Sequence, residues 1–179
     1  MEDELPERLR DGICVLSGPN LAMEIIDQKP SSAVVAARNI NTATRAQSLL
    51  MSRIFRVYTN NDIIGVEFGG ALKNIIAIGC GIIDGLKYGD NSKAGLITRG
   101  LAEVTRMAVR AGANPLTFSG LAGMGDLVAT CSSRLSRNHY LGSEIATGRN
   151  PVDVLTSMKN VAEGVSTTSA SIKLARELE

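Results

Sequence analysis

Lys73 stands inside the least polar stretch of this chain, residues 63–86, where Glu67 and Asp84 are the only other charges. An ammonium in apolar surroundings costs free energy unless it is paired or put to use. Lysine is also the cation whose proton affinity falls most readily on burial, which suits proton transfer. Asp126 and Thr130 are spaced i, i+4, so a helix carries both on one face. Ser136-Arg137-Asn138 falls at an expected helix start, where backbone N–H groups, a guanidinium and an amide make a phosphate site. Arg134 and His139 make that cluster more basic. Ser17-Gly18-Pro19-Asn20 comes directly after an expected strand, and open α/β sheets bind ligands beyond the carboxyl ends of their strands.

Each group also has a plainer reading. Lys73 could snorkel from a core helix to water. Residues 63–86 are long enough to span a bilayer, but the many glycines, the central Lys73-Asn74 pair and the lack of flanking anchors argue against insertion. Asp126 alone reads as an N-cap or first-turn carboxylate. Ser17-Gly18-Pro19-Asn20 alone is an ordinary turn. Arg137 alone is a surface cation, and His139 reads as a bystander.

The elements that would position these groups change character along the chain. Short apolar runs at residues 13–16, 33–37 and 55–59 read as strands, separated by helices over 21–28 and 42–51. Strand–helix–strand–helix–strand order is the grammar of an α/β sheet edge. Beyond Asn60-Asn61-Asp62 everything reads helical. Asp62 caps a long helix over 63–86, and a second runs over 93–111 to Gly112. Asn114-Pro115 restarts the chain, and then come helices over 122–132, 136–147 from a serine N-cap, a turn at Asn150-Pro151, and 163–179. The expected organisation is an α/β piece over residues 1–60 and an all-α domain over 61–179. Both ends read as cut, so the expectation is a fragment of a longer protein.

Composition narrows the function classes. The chain has 179 residues and a net charge of +1, which gives no electrostatic case for nucleic acid or an acidic membrane surface. Aromatics are scarce and Trp is absent, so stacking platforms for bases are not expected. Cys14, Cys80 and Cys131 are widely spaced, and the single His leaves no metal-ligand pattern. No metal is therefore expected. Three thiols and a charged start without a targeting segment suggest a reducing cytoplasm.

Several motifs occur in a fixed order. They are Ser17-Gly18-Pro19-Asn20-Leu21-Ala22, residues 58–69, Gly70-Ala71-Leu72-Lys73-Asn74 and Gly85-Leu86-x-x-Gly89-Asp90-Asn91-Ser92-Lys93-Ala94. Gly123-x-Gly125-Asp126-Leu127-x-x-Thr130-Cys131 and Ser136-Arg137-Asn138 complete the series. Together they resemble NAD(P)-dependent glycerol-3-phosphate dehydrogenase, most closely the bacterial type, over nearly the whole chain from Val15 onward. The resemblance implies the end of a Rossmann domain joined to a helical substrate domain like that of 6-phosphogluconate dehydrogenase, truncated at its C-terminus. It implies interconversion of dihydroxyacetone phosphate and glycerol 3-phosphate with NAD or NADP, supplying glycerol 3-phosphate for phospholipid synthesis. A homodimer is compatible with it.

By the same resemblance Lys73 is the general acid, and the base in reverse. An ammonium beside the alkoxide that forms on hydride addition stabilises the transition state differentially. Asp126 pairs with Lys73 and orients it, and Thr130 bonds in the same site. Ser136, Arg137 and Asn138 bind the substrate phosphate. Gly18 and Asn20 approach the substrate from the α/β side. Ala22, Arg137, Val161 and Glu163 reach the dinucleotide.

One departure is plain. The family's G-x-G-x-x-G loop, which cradles the pyrophosphate, does not occur here, and Gly79-x-Gly81 lies inside the apolar helix. The family's upstream substrate-binding lysine is missing as well. The expectation is weak or absent binding of NAD(P)H by this chain alone. Two other readings compete. One is another dehydrogenase joining a Rossmann to a helical domain, acting on a hydroxyacid or sugar acid. The other is a non-catalytic helical remnant that only self-associates or inserts in a bilayer.

Overall fold

The computed structural model describes residues 4–158 and 160–178. Glu179, the last residue of the helix expected over 163–179, lies outside them. A short helix α1 (Glu7–Arg10) leads into strand β1 (Cys14–Ser17), helix α2 (Ala22–Ile26), strand β2 (Ser31–Ala37), helix α3 (Ile40–Leu50) and strand β3 (Phe55–Asn60). The sheet order is β1-β2-β3, with β1 antiparallel and β3 parallel to β2. Loop length explains the mixture. A parallel return needs a crossover of a dozen or more residues, usually carried by a helix. The eleven-residue α3 provides one between β2 and β3, whereas the five-residue α2 does not.

Strand β2 is covered on both faces, and its alternation assigns each face. Val35 and Ala37 pack with Val57 against Ala43 of α3. Val34 and Ala36 face the other way, onto Val66 and Ala122 of the helical part. That second face ties the sheet to the helices.

The helical part is built around α4 (Ile63–Gly85), which Asp62 caps by accepting from the Gly65 amide at 2.9 Å. Asp62 also accepts from the Asn114 amide and the Thr117 hydroxyl, so one carboxylate fixes the start of α4 and a 3₁₀ turn (Pro115–Ser119). Helix α5 (Asp90–Arg110) begins three residues before its expected start, with Asp90 in its first turn. Helices α6 (Asp126–Ser132), α7 (Arg137–Ala146), α8 (Pro151–Ser157) and α9 (Gly164–Glu177) complete the bundle.

Helix α4 is long and apolar enough to cross a membrane by length and composition. In this fold α5, α6, α7 and α9 all pack on it, and Leu72, Ile76, Ala77 and Cys80 are buried. Its glycines permit the close approach. A Cβ on Gly81 would lie 2.0 Å from the His139 carbonyl, and one on Gly142 would lie 2.0 Å from the Ile78 carbonyl. The two helices therefore meet backbone to backbone.

Candidate active site

The single helix expected over 122–132 is two pieces. Residues Leu121–Gly125 form a π turn, closed by Gly125 N donating to Gly120 O at 3.1 Å, and the α-helix begins only at Asp126. Wide turns of this kind recur at functional sites, where they rotate the next helical turn relative to the one before. Here the turn packs closely on α4, since a Cβ on Gly69 would lie 2.2 Å from the Ala122 carbonyl. It delivers Asp126 to the face of α4 that carries Lys73.

Asp126 is 3% exposed and is no N-cap. Its Oδ1 takes the Lys73 ammonium and, at 3.2 Å, the Thr130 hydroxyl. Its Oδ2 accepts from Ser17 Oγ at 3.2 Å. A buried carboxylate of this kind is tolerable only because its lone pairs are engaged. The Lys73 side chain keeps 20% of its surface accessible. Its charge is held by a partner at the edge of a groove, not carried to bulk water. The ammonium has three N–H bonds, so pairing with Asp126 leaves donors for a ligand.

The groove beside Lys73 has a volume of about 430 Å³, and Asn20, Ala22, Asp126, Thr130, Arg137 and Glu163 are among its walls. Ser136 caps α7, accepting from the His139 amide at 3.3 Å. Arg137 is half exposed and donates to Glu163 at 2.6 Å. Asn138 is buried; its carbonyl accepts from Gly164 N and its amide donates to Asn74 Oδ1, both at 2.9 Å. That leaves Asn138 one N–H for a ligand. Gly18 has φ +144, and a Cβ there would crowd Ala33 at 3.0 Å, so glycine lets the β1 loop turn back over the sheet. Val161 is 72% exposed and does not line the groove.

Two further side chains, Ser17 and Asn74, join the residues expected from the sequence. Ser17 stands in a motif, yet nothing local shows that its hydroxyl reaches Asp126. Asn74 has a visible signal, a second polar side chain beside Lys73 on an apolar helix. His139 is buried and faces away from Lys73, with its Nε2 2.7 Å from Asp84 Oδ2 near the far end of α4.

The groove fits one end of a dinucleotide and not the other. Asn20 Oδ1 is buried in it without a protein partner, an acceptor that a hydroxyl or amide of a ligand would satisfy. Nothing among the described residues would cradle a pyrophosphate. Gly79 and Gly81 face Leu96 and the His139 backbone inside the bundle.

Comparison with known proteins bears on this arrangement. Residues 62–179 match the profile described as NAD-dependent glycerol-3-phosphate dehydrogenase C-terminus, and residues 1–43 match the corresponding N-terminus profile. A glycerol-3-phosphate dehydrogenase (NAD(P)+) of Dehalococcoides mccartyi strain 195 is 57% identical over 177 residues, 99% of this chain and 49% of that protein. The protein of the same name from Halalkalibacterium halodurans is 49% identical over the whole chain and 52% of its own length. The crystal structure of glycerol-3-phosphate dehydrogenase from Coxiella burnetii superposes with a TM-score of 0.89 at 40% identity, covering 92% of this chain and 50% of that one. A structure from Dunaliella salina gives 0.86 at 29% identity, covering 92% of this chain and 30% of that one. The chain thus spans about half the length of the curated relatives it matches. On the profiles, the identities and the shared architecture, this chain belongs to the NAD-dependent glycerol-3-phosphate dehydrogenase family.

Proposed function

We propose that this chain carries the acid–base and phosphate-binding half of an enzyme that interconverts dihydroxyacetone phosphate and glycerol 3-phosphate. The carrying observation is the Lys73–Asp126 pair, buried on the carboxylate side and open on the lysine side toward the groove that Arg137 lines. A bound nicotinamide cofactor supplies or accepts the hydride. Lys73 Nζ gives a proton to the carbonyl oxygen as the carbon is reduced, and takes it from the hydroxyl in reverse. Its positive charge offsets the charge that builds on that oxygen. Asp126, held by Thr130 and Ser17, keeps the ammonium aimed. The Ser136 end of α7 and the Arg137 guanidinium take the substrate phosphate, with Asn138 adding its remaining N–H. Asn20 and Gly18 close the sheet side. Ala22, Arg137 and Glu163 border the nicotinamide end, and Val161 sits outside the groove wall, where only a longer cofactor would meet it.

In this reading residues 1–60 belong to the dinucleotide domain and 61–179 to the substrate domain, a division supported by the gap between the two profile matches. The enzyme would work in a reducing cytoplasm, in keeping with its three free thiols, and would supply glycerol 3-phosphate for phospholipid synthesis.

The test is Lys73→Ala in a chain of the relatives' full length. The expected result is a fall in kcat of at least about 100-fold, the size of a lost general acid. Near-normal turnover would remove Lys73 from the role. Binding of glycerol 3-phosphate by this chain alone, lost in Arg137→Ala, would support the phosphate assignment independently.

A further inference from the structure

A second cavity lies away from Lys73, at the far end of α4. Its volume is about 710 Å³, and Asp84, Lys87, Lys93, Arg134 and His139 line it together with Ser132, Tyr140 and Ser143. Three permanent cations therefore face one carboxylate, in a protein whose net charge is only +1. That carboxylate is already engaged. Asp84 Oδ2 takes Lys93 Nζ at 2.5 Å and His139 Nε2 at 2.7 Å. Among the described residues no ion pair is formed by Lys87 or Arg134. The His139 side chain is 9% exposed, so the back wall is fixed, while Lys87 and Arg134 form an exposed rim.

Lys87 carries a second sign. It lies just past the end of α4 with φ +58, in the left-handed region, and closes a Schellman turn: its N–H bonds Asp84 O and the Tyr88 N–H bonds Ile83 O, both at 3.1 Å. Glycine is the usual residue there, and any side chain costs about 1 kcal/mol. The chain keeps a lysine at the cheapest place for glycine, and that lysine lines the cavity.

We propose that this cavity is a binding site for a phosphate-class oxyanion, distinct from the groove beside Lys73. Lys87 and Arg134 supply the uncompensated charge, Arg134 offers a planar fork of N–H donors, and Ser132 offers a hydroxyl, whereas that of Ser143 already donates to the Tyr140 carbonyl at 2.8 Å. Asp84 serves as the internal counter-ion that holds Lys93 and His139 in place. Occupancy would be felt in the groove, because Arg134 and His139 flank the Ser136-Arg137-Asn138 turn in sequence.

The experiment is a titration of this chain with inorganic phosphate at constant ionic strength, monitored by backbone amide shifts. Saturable shifts are expected at Gly85, Gly89, Ser132 and Ser143. They should weaken at least about tenfold in Lys87→Gly combined with Arg134→Ser, a loss of about 1.4 kcal/mol. Lys87→Gly suits the left-handed backbone, so this variant should be as stable as the parent or more so. Shifts unchanged in the variant would reduce Lys87 to a helix cap and overturn the site. Shifts confined to Ser136, Arg137 and Asn138, or reproduced by sodium chloride, would also overturn it. A parallel titration with ethyl phosphate distinguishes a phosphomonoester from the free ion; saturable binding of either one in this cavity upholds the site.

Discussion

Ser17 Oγ donates to Asp126 Oδ2 at 3.2 Å across 109 positions of sequence. It links the end of β1 to the carboxylate that holds Lys73. Space for the hydroxyl comes from Gly70, where a Cβ would lie 2.9 Å from Ser17 Oγ. The sheet therefore helps to orient the Lys73–Asp126 pair, although both members of the pair stand on helices.

Ser17→Ala should leave the fold intact and free Asp126 to rotate. In a chain of the relatives' full length, kcat should fall roughly tenfold, about 1.4 kcal/mol of barrier, with KM for the phosphorylated substrate little changed. Ser17→Thr should restore most of the loss. Steady-state kinetics of the two variants checks this. An unchanged kcat in Ser17→Ala would make the bond incidental.

Two glycine-to-alanine changes should act in opposite directions. Gly81→Ala places a methyl 2.0 Å from the His139 carbonyl and should force α4 and α7 apart, costing at least about 1–3 kcal/mol. Gly95 lies within α5 with open space around it, so Gly95→Ala should stabilise by about 0.5–1 kcal/mol. Urea denaturation midpoints of both variants provide the comparison.

The Asp84 carboxyl sits below the usual carboxylate range. Burial pulls it upward, but hydrogen bonds and charge from Lys93 and His139 outweigh that. A group with a lowered folded-state pKa stabilises above its unfolded value, about 3.9, and the contribution is lost as pH falls through the folded value. Asp84→Asn should therefore lower Tm at pH 7, and the gap to the parent should close as pH drops below about 4. Thermal melts from pH 7 to pH 3 would show it.

The three thiols should separate by reactivity. Cys14 is exposed, whereas Cys80 and Cys131 are buried together between α4 and α6. A hydrogen bond with Cys80, and then burial, push the Cys131 thiol up. The same hydrogen bond holds the Cys80 thiol down, so it is burial that withholds both sulfurs, and one equivalent of a thiol reagent should react in the folded chain and three after unfolding. Two fast equivalents would mean that α6 opens readily from α4.

Much of this molecule is written locally in its sequence. The three strands arise from branched apolar runs bounded by turn residues, and Asp62 and Ser136 are legible as caps because capping acts within one turn. Lys73 is conspicuous because a charge amid apolar residues demands an explanation, and the ordered motifs indicate the family. What the sequence leaves open is direction and partnership. The antiparallel β1, the π turn that re-aims Asp126, the meeting of Ser17 with that carboxylate and the clustering of Lys87, Arg134 and His139 all depend on residues far apart in the chain. Such contacts form only when packing brings distant elements together, and tertiary structure alone decided them.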